Sequence, residues 1–146
     1  MNLNLSEYKV SSQIETEDQY VTFIAQHLVD KTFICLKTTS EFQETVQAQQ
    51  KLKYYFEILK KVEHPRVMKA LGLVKHDNKL TLALSKENEK KLSSYLQNNT
   101  FNIDVFFSIA LALAETVKFI HDKKVIHKCI NPKNIILEDG PEKILL

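Results

Sequence analysis

Apolar and polar positions alternate over the first third of the chain. Residues 8–14, 20–26 and 32–36 are short runs rich in Val, Ile, Thr, Phe and Tyr, the composition of half-buried strands. Polar segments at 15–19 and 29–31 separate them, so an antiparallel meander is predicted. From 40 to 61 the period changes to that of a helix, with Val46, Leu52, Tyr55, Phe56, Leu59 and Val62 on a recurring face. Ser40, with Gln43 three residues on, reads as a capping box for its start. Pro65 closes that helix, because its ring disfavours helical geometry at His64. Two further strands are predicted at 67–75 and 79–84 around the polar turn His76-Asp77-Asn78, then a short helix at 89–97 and a long one at 103–123, capped by Asn102 or Asp104. The long helix carries Val105, Phe106, Ile109, Leu111, Leu113, Val117, Phe119 and Ile120 almost all the way round, which predicts burial on more than one face. A loop at 125–134, a strand at 135–137, a turn at 138–141 and a last strand at 143–146 complete the pattern.

Composition narrows the function classes. The chain has 146 residues, 44% apolar and 26% charged, with 20 Lys and Arg against 18 Asp and Glu, the profile of one folded water-soluble domain. That near balance of signs gives no basic stripe for nucleic acid. A membrane span needs about 20 consecutive apolar residues, and the richest run, 105–114, is interrupted by Ser108 and closed by Glu115. The N-terminal residues have no basic and then apolar secretory pattern, and Cys35 and Cys129 have no ligand-type spacing around them, so a reducing, cytoplasmic setting is expected. Glycine is scarce: average usage would give about ten, and only Gly72 and Gly140 are present. A glycine-rich phosphate loop is therefore disfavoured at the outset.

The element order and three motifs resemble a protein kinase from its start to the middle of its second lobe. His127-Lys128-Cys129-Ile130-Asn131-Pro132-Lys133-Asn134 is similar to the kinase catalytic loop H-R-D-L-K-P-x-N. Ile34-Cys35-Leu36-Lys37 resembles the V-A-I-K strand, and residues 58–67 resemble the segment between the regulatory helix and the fourth strand. The wording around the loop, with Ala70-Leu71-Gly72-Leu73 and residues 109–117, is particularly similar to the N-terminal kinase domain of large bacterial proteins that combine a serine/threonine kinase-like domain, an ATPase module and a sensor histidine kinase. The implied fold is α+β: a five-stranded antiparallel N-lobe with its regulatory helix over 1–84, a hinge at 85–88, and part of a helical C-lobe over 89–146, ending before the D-F-G position.

Kinase chemistry is mostly positioning and charge neutralisation, so each part can be checked. The phosphate-covering loop should be rich in glycine, which lets backbone amides approach phosphate; here it reads Glu15-Thr16-Glu17-Asp18-Gln19, a run of carboxylates equally readable as a solvated turn. Lys37 stands where the phosphate-pairing lysine belongs, and the resemblance makes Lys37, Cys35 and Leu84 the candidate nucleotide-binding residues. Ten residues before Pro65, where the acidic partner of that lysine belongs, stands Tyr55. Glu57 is two positions on, about 200° around the helix. At the position of the base aspartate is Cys129, and at that of the adjacent phosphate-contacting lysine is Asn131. Asn134 occupies the position of the metal-binding asparagine, its alternative role being to brace the loop; His127 is read as a structural histidine.

The resulting expectation is a truncated, degenerate kinase domain, a pseudokinase fragment with weak or no binding of the ATP and magnesium that the resemblance implies, acting in signal transduction by binding a protein partner or itself through the apolar helix 103–123. Two alternatives stand beside it. One is an ATP- and magnesium-binding serine/threonine kinase of weak activity completed in trans by a C-terminal half; the other is a remnant of a longer kinase gene without activity of its own.

Overall fold

Strand β1 (Tyr8–Glu17) and β2 (Tyr20–His27) pair antiparallel from Glu17 opposite Tyr20 to Tyr8 opposite His27, with irregular register around Gln13. The computed structural model describes residues 3–17, 19–41, 45–86, 89–100, 102–138 and 143–145. β1 thus continues through Glu15 and Glu17, which the sequence pattern assigns to a connection. Pairing with Tyr20, Val21 and Thr22 of β2 holds this stretch in strand geometry despite its polar composition. β3 (Phe33–Thr39) follows a turn built by Asp30, whose Oδ1 accepts the Thr32 amide at 2.9 Å and its hydroxyl at 2.7 Å, with Lys31 in the left-handed region at φ 63°.

The helix α1 spans Val46–Lys61, later than Ser40. The Ser40 amide still donates to the Gln19 carbonyl at 2.9 Å, at the end of the sheet, and Gln43 lies outside the described residues. Thr45 caps α1 instead: its Oγ1 accepts the Ala48 amide at 3.1 Å. β4 (Ala70–His76) and β5 (Lys79–Ser85) form a hairpin around Asp77 and Asn78, at φ 48° and 63°, the geometry of a two-residue turn that matches strand twist. β4 begins at Ala70 rather than 67, because the Val67 amide closes a turn onto the His64 carbonyl at 3.0 Å. The five strands form one antiparallel sheet in the order β1-β2-β3-β5-β4.

Alternation along β3 gives the sheet its two faces. Ile34 and Leu36 join Ala25 and Ala83 in a buried cluster, against which Leu3, Leu5, Tyr8, Val10, Phe23 and Leu71 pack. Cys35 and Lys37 lie on the opposite face, beside Leu84 and Leu82.

The chain divides into two compact units: residues 1–60 with 69–86, and residues 61–68 with 87–146. Part of the expected hinge, residues 87–88, lies outside the described residues, as does most of the turn at 138–141. In the second unit, β6 (Glu89–Lys91) pairs with β7 (Ile136–Glu138), which pairs with β8 (Lys143–Leu145). Residues 89–91 are therefore a strand, not the start of a helix. The short helix α2 (Leu92–Asn98) begins after them, where the Leu92 amide donates to the Ile135 carbonyl at 2.8 Å. The long helix α3 is Ile103–Asp122, capped by Asn102, whose Oδ1 accepts the Val105 amide at 2.8 Å. It buries Ile109, Ala112, Thr116 and Ile120 in a stripe of helical period, while Ile103, Phe106, Phe107 and Leu111 are exposed. The apolar girdle read from sequence is thus covered on one side and open near its N-terminal end. Residues 61–68 belong to this unit through Arg66, 2.6 Å from Glu115, and through His64, whose ring lies 4.6 Å from that of Phe119. Among the described residues no helix is long and apolar enough to cross a membrane.

Candidate active site

In the first unit the sheet brings three of the sequence-predicted residues onto one face. Cys35 pairs with Leu84 across β3 and β5 and with Ile24 across β2, and all but a trace of Cys35 and Leu84 is buried. Lys37 is two residues further along the same face, opposite Thr22 and Leu82. The three residues thus share one face of the sheet, the apolar pair buried and the ammonium two residues further along.

Tyr20 completes this face, and sequence reasoning missed it. It pairs with Thr39, two residues beyond Lys37, which places it on the Lys37 side of the sheet, and it is only 5% exposed. Lys37 Nζ lies 5.4 Å from the centre of its ring, a cation–π contact of the order of 0.5–2 kcal/mol. The Tyr20 hydroxyl donates to the Ala48 carbonyl of α1 at 3.2 Å. The signal that could have found it is the alternation Tyr20, Thr22, Ile24, which sets an aromatic ring directly after the acidic turn.

Along α1 the buried positions are Ala48 and Leu52. Tyr55, three residues after Leu52, continues that stripe with 39% exposure. Glu57 is on the outer side, exposed, with Lys60 Nζ 3.9 Å from its carboxylate. It is therefore out of phase with the inward stripe, as the helical angle requires, and does not take the place of the missing acid.

In the second unit, the catalytic-loop residues Cys129, Asn131 and Asn134 form one hydrogen-bonded cluster. The chain reaches it through Lys128 in the left-handed region, at φ 65°. Asn131 Nδ2 donates to Cys129 Sγ at 3.2 Å, and Asn134 Nδ2 donates to the same sulfur at 3.3 Å and to the Cys129 carbonyl at 3.0 Å. Asn131 Oδ1 accepts the Lys133 amide at 2.9 Å, and the Pro132 carbonyl accepts the Ser93 amide at 2.8 Å, which ties the loop to α2. Asn134 thus braces the loop. Magnesium favours about six hard oxygen ligands in octahedral array. This loop offers a thiol and two amides whose nitrogens turn onto Cys129, and the described residues contain no group of three His, Cys, Asp or Glu side chains placed to hold a metal ion. Within the loop the side-chain oxygen left to face such an ion is Asn134 Oδ1, since Asn131 Oδ1 holds the Lys133 amide.

His127 is half-buried, and its Nδ1 accepts the Cys129 amide at 3.3 Å. Burial holds its imidazole below the ordinary value of 6.5, favouring the neutral ring that this acceptor role requires. The unfolded chain takes up the proton near pH 6.5 while the folded chain resists it, so stability falls as pH drops below that value until the folded ring protonates. In His127→Asn this contribution is expected to vanish. Unfolding midpoints of both proteins from pH 7.5 to 5 test it: the wild type should lose more than the variant across this range, and parallel curves would contradict the assignment.

A family model described as protein tyrosine and serine/threonine kinase matches residues 18–144. The chain belongs to the protein kinase family. Curated kinases are similar along most of its length: the serine/threonine-protein kinase ATG1b of Arabidopsis thaliana is 24% identical over 134 residues, 91% of this chain and 19% of that protein. An Aurora kinase of Dictyostelium discoideum is 24% identical over 122 residues, 82% of this chain and 32% of that one. The solved kinase domain of PknI from M. tuberculosis superposes with a TM-score of 0.73 at 17% identity, over 97% of this chain and 57% of that one. The kinase-like α+β fold is therefore established, and the chain spans about a fifth to a third of these two curated kinases. Kinases as a family use ATP with magnesium.

Proposed function

We propose that this kinase-family chain works as a binding or regulatory module, a pseudokinase, rather than as an efficient phosphotransferase. The observation that carries this reading is Cys129 at the base position, a thiol engaged by the amides of Asn131 and Asn134 where a kinase needs a carboxylate to accept the substrate's hydroxyl proton. Tyr55 in place of the helix acid supports the same reading. The nucleotide-type face of Cys35, Leu84 and Lys37 supports a retained capacity to recognise a nucleotide without transferring its phosphate. With labelled ATP, magnesium and a general protein substrate, phosphoryl transfer by the chain is expected to stay at background. A rate above background that is lost in both Lys37→Ala and Cys129→Ala would overturn the reading.

Binding of a protein partner, or of a second copy, is proposed through the open end of α3. Ile103, Phe106, Phe107 and Leu111 are each more than half exposed, and the Phe106 and Phe107 rings stand edge to face at 5.6 Å. Clustered aromatic residues of this kind are typical of interface anchors. Light scattering of the purified chain is expected to show an assembly larger than a monomer that reverts in Phe106→Asp/Phe107→Asp. A monodisperse wild-type monomer that also recruits no partner in a defined binding assay would count against it.

A further inference from the structure

We propose that Tyr20 is a latch that joins β2 to α1 across Lys37, so that a nucleotide phosphate drawn to Lys37 competes with the Tyr20 ring and its arrival loosens the first turns of α1. The proposal rests on the reading of Lys37 as the phosphate-facing lysine. Its geometry lies wholly within the first unit. One side chain makes both contacts: its ring faces Lys37 Nζ at 5.4 Å, and its hydroxyl reaches the Ala48 carbonyl at 3.2 Å. Ala48 is fully buried and its amide is the one that Thr45 caps, so the latch closes on the segment where α1 begins.

Two physical consequences follow from a shared ring. An ammonium facing a ring at this distance is desolvated on that side, and a phosphate seeking the same charge must displace the ring or share it. Moving the ring withdraws the hydroxyl from Ala48, so the two events are linked and the coupling is reciprocal: whatever the phosphate does to α1, releasing α1 does to phosphate affinity. Thr39, paired with Tyr20 on β3, adds a reason for two states. It is fully buried, yet its hydroxyl has no hydrogen-bond partner among the described residues, so the latched arrangement leaves a polar atom unsatisfied on this same face.

The test uses the whole chain with Tyr20→Phe, Tyr20→Val, Lys37→Ala and Tyr20→Val/Lys37→Ala, ADP as the probe, and amide hydrogen exchange over residues 46–52 as the second readout. Tyr20→Phe keeps the ring and the packing volume but loses the hydroxyl; it is expected to exchange several-fold faster at these amides while ADP affinity improves little. Tyr20→Val is expected to bind ADP at least tenfold more tightly than wild type, and Lys37→Ala in that background to abolish the gain. ADP added to the wild type should speed exchange at the same amides. If Tyr20→Val binds ADP no better than a wild type whose own binding needs Lys37, the latch is wrong while the nucleotide reading stands. If none of the proteins binds ADP, the nucleotide reading fails and the competition falls with it. Unchanged exchange in Tyr20→Phe would overturn the clamp on α1, and that variant, which preserves the volume of the core, keeps the test decisive if Tyr20→Val folds poorly.

Discussion

Leu36→Ala is expected to shift the unfolding midpoint strongly downward, by about 2–5 kcal/mol of stability, whereas Lys37→Ala, one residue along, leaves the fold nearly as stable as wild type. Leu36 is fully buried at the centre of the cluster formed with Ala25, Ile34 and Ala83. Truncating such a leucine removes its transfer free energy and leaves a cavity, together about 2–5 kcal/mol. Domains of this size hold roughly 5–15 kcal/mol in total, so the loss takes a large share. Lys37 is on the other face, where truncation removes a cation–π contact and some packing. Its cost is expected to be about 1 kcal/mol. Denaturant unfolding of the two variants checks the contrast through their midpoints. Equal losses would mean that the two faces of β3 are not what the alternation implies.

The second large effect belongs to α3. Ile120→Asp is expected to abolish cooperative folding of the second unit, while Phe107→Asp on the same helix leaves it folded. Ile120 is 3% exposed in the buried stripe with Ile109, Ala112 and Thr116, and a carboxylate there would sit among apolar neighbours. Isolated charges in apolar surroundings cost several kcal/mol even after relaxation. Phe107 is 55% exposed, so an aspartate at that position stays in water. Far-UV circular dichroism and thermal melts distinguish the two, and comparable melts would mean that the burial pattern along α3 is wrong. The contrast also makes substitution at the open end of the helix a usable probe of association, because a change there alters the surface and not the core.

Much of the fold is legible in the sequence because its causes are local. Asp77 and Asn78 tolerate the left-handed backbone of a two-residue turn, so the β4–β5 hairpin can be read from a few neighbouring residues. Pro65 bars helical geometry at His64 by sterics that act between neighbours, and α1 ends ahead of it at Lys61. Other features are decided at long range. Residues 89–91 have no strand signature of their own; they become β6 because β7, far along the chain, presents a matching edge. Thr45 rather than Ser40 caps α1 because the Ser40 amide is already held by the Gln19 carbonyl, a contact between strand ends that no capping pattern contains. β1 extends through Glu15 and Glu17 for the same reason, since β2 supplies the partners.

The candidate site divides along the same line. The order of motifs, Lys37 in its strand, Cys129 and Asn131 where the resemblance puts the base and the phosphate contact, and the phase difference between Tyr55 and Glu57 are one-dimensional readings, visible because residue chemistry and helical angle do not depend on tertiary context. Only the folded chain decides what those residues touch. It turns the amides of Asn131 and Asn134 onto the Cys129 thiol, and it sets Tyr20 over Lys37 and against Ala48. In the first unit the contacts arise where β2, β3 and α1 meet, in the second where the loop folds back on itself, and the sequence alone carries their chemistry but not their distances.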